Sequence, residues 1–238
     1  MNWPFLAFAL VCAGFMQSLT GFGFGLVSMS LMPLVIGVKQ AAAISTVFSF
    51  LATITTFFRH YREYNWRLGF TFLVSVCVGV PIGVFFLEKA DEHLLIKVLG
   101  GIMLVFAARE FLFGGPPKAI RPTSTVPLGL FSGALSGAFN LGGMPSAAYA
   151  YAHPWSRGQI MAFLQVMITL SCALRVGFYG QFGYFKEISF TYAVLLLLPL
   201  YGAIWLGHFV LERVHPKHMR QGVFVFIGLS GIYYLFWH

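Results

Sequence analysis

The chemistry open to this sequence lies in two glycine-rich interruptions of apolar stretches. Thr20-Gly21-Phe22-Gly23-Phe24-Gly25 cuts a stretch that runs from Pro4 to Ile36, and Asn140-Leu141-Gly142-Gly143-Met144-Pro145 cuts another from Val126 to Ala152. Glycine frees the backbone and proline removes an N–H donor, so each stretch is expected to break into two pieces of roughly 9 to 17 residues. A half-helix should restart after each break, near Phe24 and near Met144. The start of a helix presents unpaired N–H groups and the positive end of its macrodipole, which together make an anion site without any charged side chain. Three glycines at two-residue spacing do not form a helical packing face, which separates the first break from ordinary small-residue helix contacts.

Polar side chains extend this candidate site. Thr20 and Asn140 are placed to cap a half-helix or to contact a ligand, and Gln17, Ser18 and Ser136 lie within about a turn. Ser146 follows Pro145 and has a hydroxyl to offer. Setting Gly14 opposite Gly133, an offset of 119, puts the two breaks in register and brings Thr46 opposite Gln165, with Ser45 and Ser49 close to Thr46. An intramembrane glutamine either meets a ligand or bridges helices. The candidate substrate-binding set is therefore Thr20, Gly21, Gly23, Phe24, Gly25, Thr46, Asn140, Gly142, Gly143, Ser146 and Gln165. Arg175, toward the end of its span, reads as a side chain that snorkels to the headgroups or draws anions from the outer side. His153, before Pro154, reads as a gate, a proton carrier or a plain loop residue.

Other chemistries lack their residues. All seven acids (Glu63, Glu88, Asp91, Glu92, Glu110, Glu187 and Glu212) fall at span ends or in loops, so a mid-membrane carboxylate for proton coupling is not expected. No segment matches GxxxxGK[ST]. Cys12, Cys77 and Cys172 are isolated in apolar surroundings and read as buried thiols. Neither a metal nor a cofactor is expected, and an enzymatic role is not.

The elements that must position the breaks follow from composition. Of the 238 residues 58% are hydrophobic and 9% charged, whereas a soluble domain has about a quarter charged. A soluble enzyme, a nucleic-acid-binding domain and a disordered chain are thereby excluded, and the lipid bilayer is the expected surrounding. Six runs have the length of about 20 residues that a bilayer requires: Ala41 to Phe58, Leu68 to Leu87, Leu94 to Phe113, Gln159 to Phe178, Ser189 to Leu211 and Met219 to Trp237. The N-terminus lacks the basic region of a signal peptide, so the first apolar run is expected to stay. Gly114 to Pro122 is the one loop rich in both glycine and proline and reads as a linker, giving a first membrane repeat over 1–113, a linker over 114–125 and a second repeat over 126–238.

Charge placement sets the expected topology. If both broken segments cross the membrane, the basic residues split seven against eight. If each returns to the side it entered from, Arg59, Arg62, Arg67, Arg109, Lys118, Arg121, Arg157, Arg213, Lys217 and Arg220 share one face and Lys39, Lys89, Lys97, Arg175 and Lys186 the other. Only the second arrangement has the bias that marks a cytoplasmic side, and it puts both termini outside. The expected fold is an all-α polytopic membrane protein of two inverted repeats, each a broken re-entrant helical hairpin plus three transmembrane helices. The phenylalanines should face mainly lipid, and Trp3, Tyr64, Trp66, Tyr184, Tyr233 and Trp237 should anchor at the interfaces.

Ala13-Gly14-Phe15-Met16-Gln17-Ser18-Leu19-Thr20-Gly21-Phe22-Gly23-Phe24-Gly25, its counterpart Gly133-Ala134-Leu135-Ser136-Gly137 to Asn140-Leu141-Gly142-Gly143, and the four-plus-four apolar layout resemble the sulfite exporter family of the TauE/SafE type. The resemblance covers essentially the whole chain. It implies a permease of the bacterial cytoplasmic (inner) membrane for small sulfur-containing anions such as sulfite and organosulfonates. Pro145 comes one position later than the family's Gly-Gly-Pro. A passive anion channel, or a membrane-embedded enzyme or assembly subunit in sulfur metabolism, remains as an alternative. A homodimer is left open as a further partner.

Overall fold

The computed structural model describes residues 3–64, 66–113, 122–186, 190–211 and 216–236. Most of the expected linker, together with Lys118, Arg121, Arg213 and Trp237, lies outside the described residues. Helices account for the architecture: α1 (Trp3–Thr20), α2 (Phe24–Leu31), α3 (Val38–His60), α4 (Trp66–Lys89), α5 (Glu92–Phe113), α6 (Thr125–Phe139), α7 (Gly143–Tyr151), α8 (Arg157–Gln181), α9 (Phe190–Leu211) and α10 (Pro216–Phe236). Each of the six expected spans carries a helix, and both broken stretches split at their glycines. At 18 residues α1 is longer than the half-helix expected there. Among the described residues α1, α3, α4 and α8 are long and apolar enough to cross a membrane.

The element order repeats. Thr20 and Phe139 end α1 and α6, Phe24 and Gly143 start α2 and α7, and Val38 and Arg157 start α3 and α8, each pair 119 residues apart. The starts of α3 and α8 are fixed by different side chains. Val38 N–H donates to the Glu92 carboxylate, whereas Ser156 and Gln159 close a reciprocal capping box.

Packing joins the halves crosswise. The closest pairings are α1 with α9, α4 with α6, α3 with α8 and α5 with α10, so exchanging the two sets of five helices maps these pairings onto themselves. Small residues permit the approach. Gly129, Gly133 and Gly137 of α6 lie in order against Phe72 and Ser75, Val76 and Gly79, and Val80 and Val84 of α4, so the two helices run in the same direction. Gly14 on Leu200, with Phe15 and Ser18 on Gly207, does the same for α1 and α9. In a bilayer, where lipid tails are as apolar as the side chains, such backbone approach is a main source of helix association.

Large apolar side chains point outward at many positions, among them Leu198 (79% exposed) and Trp205 (71%), as a lipid-facing surface requires. The phenylalanines divide: Phe8, Phe131 and Phe236 are among those exposed, as expected, whereas Phe24, Phe48, Phe72, Phe139 and Phe163 are core. Tyr64 is no interfacial anchor either. It is buried, with its ring stacked on Phe163 and its edge against Trp66. A loop position beside a break-bearing half gives an aromatic ring protein to pack on, and packing there competes with the headgroup region.

A methyl on Gly133 would overlap the Val76 carbonyl oxygen and one on Gly83 the Ala134 carbonyl oxygen, while one on Gly101 meets nothing within 4 Å. Gly133→Ala and Gly83→Ala are expected to cost about 1–3 kcal/mol each, read as earlier thermal unfolding of the detergent-purified protein, with Gly101→Ala close to wild type. Equal stability of all three would show that α4 and α6 do not depend on this approach.

Candidate functional site

The two breaks meet at the centre of the bundle. Gly25 lies on the Asn140 carbonyl so closely that no side chain fits between them, and Gly143 packs against Phe22. Each break turns through a left-handed residue at the same point of its repeat, Gly21 (φ 79°) and Asn140 (φ 59°). Glycine takes this conformation freely, and asparagine is among the few other residues that tolerate it. Neither Gly23 before α2 nor Gly142 before α7 provides a side-chain cap.

Protein groups take up the backbone that the breaks expose. Gly21 O accepts from both Gln17 Nε2 (3.0 Å) and Gln165 Nε2 (3.1 Å), and Phe24 N–H donates to Gln17 Oε1 (3.1 Å). Gln17 therefore clamps the first break from both sides. In the second, Ser132 Oγ donates to Gly142 O (2.8 Å) and lies 2.9 Å from Ser146 Oγ, and Tyr179 donates to Gly137 O (2.6 Å). Asn140 Nδ2 donates to Ser45 Oγ (2.7 Å), which is hydrogen-bonded to Ser28 Oγ (2.6 Å). Gln165 Oε1 is buried without a partner among the described residues.

Behind Asn140 stands Arg175, fully buried. Its Nη2 donates to Asn140 Oδ1 (2.7 Å), Nη1 to Thr46 Oγ1 (2.8 Å) and Nε to Ser171 O (3.2 Å), and Cys172 Sγ is 3.0 Å from Nη2. The headgroup reading of Arg175 is thus corrected, and its charge no longer belongs to the loop count. It sits six residues before the end of α8, about 9 Å of helix. An arginine stem can span that distance outward, so sequence position left its direction open.

A small cavity lies between the breaks, lined by Gln17, Phe22, Phe24, Gly25, Ser49, Ser132, Ser136, Asn140, Gly142, Gly143, Ser146 and Ser171, with Val76, Met167 and Ile168 as its apolar wall. It has room for about one water molecule. Of the expected site residues, Phe24, Gly25, Asn140, Gly142, Gly143 and Ser146 line it. Gly21 and Gln165 are hydrogen-bonded to each other beside it, and Thr46 reaches it through Arg175. Thr20 and Gly23 do not. They border a separate apolar recess with Val223 and Phe224 of α10, and the Thr20 hydroxyl folds back onto Met16 O (2.9 Å). His153 lies away from the cavity, bonded to Tyr149 O (2.8 Å) and stacked on Trp155. Sequence reasoning left Arg175 and Ser45 out of the site set and did not single out Ser28, the partner of Ser45. The available signal was that Arg175 is the only charged residue between Arg157 and Lys186.

The family model described as sulfite exporter TauE/SafE matches residues 6–234. A "Probable membrane transporter protein" of Methanocaldococcus jannaschii is 23% identical, the alignment covering 98% of this chain and 95% of the relative. A "Probable sulfite/organosulfonate exporter TauE" of Cupriavidus necator is 24% identical over 93% and 91% respectively. No solved structure matches the chain. With the family match running from α1 to α10 over helices that suit a membrane, the chain belongs to the sulfite exporter TauE/SafE family of membrane transporters.

Proposed function

We propose that the protein is a permease that carries a small sulfur oxyanion or organosulfonate across the cytoplasmic membrane. The anion is held between the starts of α2 and α7, and access alternates as the cavity opens to one side and then the other. The observation that carries this reading is the meeting at one cavity of two half-helix starts whose N-cap glycines, Gly23 and Gly142, offer no side-chain cap. Each start contributes first-turn N–H groups, those of Gly25 and Leu26 and those of Gly143 and Met144; Pro145 has none to give. Partial charge at each terminus adds about 1–2 kcal/mol for an anion in a partly buried geometry. Substrate specificity within the sulfur anions comes from the relative of Cupriavidus necator, whose name includes sulfite and organosulfonate.

The same reading makes the halves inverted repeats with re-entrant hairpins. Its support is directional. Because α6 runs parallel to α4, and α8 begins where the Glu63 carboxylate ahead of α4 touches Gly158, α7 carries the chain back to the end where α6 began. Each repeat then holds three full crossings, an odd number, and the second enters from the opposite side. The termini and the Glu88 to Glu92 loop lie outside, and Tyr61 to Glu63 lies inside. A cavity with room for about one water disfavours a standing open pore, and so the channel alternative.

Labelled sulfite, thiosulfate and an organosulfonate should enter proteoliposomes saturably and compete with one another, and flux of none of them would sink the carrier reading. Gly25→Ala pushes the two breaks apart and should lower flux at least about tenfold, as misplacement of about 1 Å does at a binding site, while Gly202→Ala, with open space beside it, should not. Topology has its own check. In a protein whose three cysteines are replaced by serine, single cysteines at Asp91 and at Arg62 should react with a membrane-impermeant maleimide from opposite sides, Asp91 from outside; labelling of both from one side contradicts the arrangement.

A further inference from the structure

We propose that Arg175 is the fixed positive charge of the binding site, and that it binds the anion by exchanging its neutral partners Asn140 and Thr46 for the substrate's oxygens. The proposal rests on the anion-carrier reading above and adds to it the one charged side chain that the helix termini alone do not supply.

Three observations carry it. Arg175 has no exposed surface, yet none of its hydrogen-bond partners is a carboxylate: they are an amide oxygen, a hydroxyl, a main-chain carbonyl and a thiol. A guanidinium stays charged in any protein environment, so this is a full charge in the interior with only dipoles around it. Such a residue inside a membrane protein is costly, and its retention points to a functional counter-charge. Next, it stands directly behind the cavity. Nη2 holds Asn140, whose left-handed turn forms the second break, and Nε holds Ser171; both residues line the cavity. Last, these bonds do not take up all its donors. They engage four of the five guanidinium donors, leaving one Nη1 N–H outside them, with the Tyr179 hydroxyl as a further polar neighbour among the described residues.

The arrangement describes a latch. With no anion, Arg175 ties α8 to Thr46 of α3 and to the second break, and the cavity is closed to about one water. A guanidinium gains from an anionic oxygen the attraction of two full charges, which a neutral amide or hydroxyl oxygen does not offer. An incoming oxyanion therefore outcompetes Asn140 Oδ1 and Thr46 Oγ1, and in doing so frees the second break from α8 and α3. Binding and opening become one event. The planar fork also favours an anion with two or more oxygens over a monatomic one.

The test is anion-dependent thermal stabilisation of the detergent-purified full chain, titrated with sulfite, thiosulfate, methanesulfonate, nitrate and chloride, together with KM for flux in proteoliposomes. Arg175→Gln should weaken apparent anion affinity at least about tenfold, and Arg175→Lys should recover part of it, since the charge returns without the fork. Thr46→Val keeps the shape but removes a competing acceptor, and should tighten anion binding severalfold. A purely structural Arg175 gives a different result: the Gln variant melts earlier without anion but keeps wild-type affinity and KM, and that outcome overturns the proposal. If Arg175→Gln does not fold, unchanged or weaker anion binding by Thr46→Val overturns it instead. A response that depends on Arg175 but occurs only with nitrate or chloride supports the charge assignment while sinking the sulfur-anion reading. Wild type stabilised by no anion overturns both.

Discussion

A break in a helix at membrane depth leaves backbone N–H and C=O groups that lipid cannot satisfy, and the rest of this structure answers that constraint. Each such group costs several kcal/mol if left bare. Two breaks in one small bundle are tolerable only because each is buried in protein and supplied with partners. Gln17 and Gln165 serve Gly21, Ser132 serves Gly142, Tyr179 serves Gly137, and Tyr234 donates to Ser30 O near the end of α2. The glycine-lined contacts of α6 with α4 and of α1 with α9 follow from the same need, since they bring the surrounding helices close enough to enclose the breaks.

The repeats solve the constraint in two ways, and the difference bears on function. The first break uses glycine at its left-handed turn and gets its polar partners from two glutamines. The second uses Asn140, which accepts the same backbone angle but brings an amide that must itself be bonded, to Ser45 on one side and Arg175 on the other. The position equivalent to Arg175 in the first repeat is Thr56. Charge is therefore on one side of an otherwise matched pair, and the two faces of the cavity are electrostatically unlike.

Much of this was legible in the residues. The two glycine clusters, at matching positions, located both breaks to within a residue of where α2 and α7 start, because glycine and proline act locally and need no tertiary context. The 119 offset paired Thr46 with Gln165, and each supports the opposite repeat's break, one through Arg175 and one directly. What sequence could not supply was side-chain direction. Thr20 carries a hydroxyl at the right place in the chain, but a threonine at the end of a helix bonds its own preceding turn as readily as a ligand, and here it does. Arg175 and Tyr64 were misread for a related reason: near a span end, the choice between interior and interface is made by neighbours far away in sequence.

The crosswise packing also constrains which parts can move. The notion of one chain half rocking against the other assumes that each half is a body, yet α1 is bound most closely to α9 and α6 to α4. Separating either glycine-packed pair would expose backbone that no side chain covers, so each pair moves as a unit. Both hairpins are thereby attached to a long helix of the other repeat. The contacts available to slide are those between α3 and α8, the pair that Arg175 and Thr46 bridge and that Thr53 and Thr169 also span, with their hydroxyls 3.4 Å apart. That interface passes beside both breaks. A ligand that removes its strongest polar tie acts where a small displacement opens the cavity, and leaves the close-packed pairs intact.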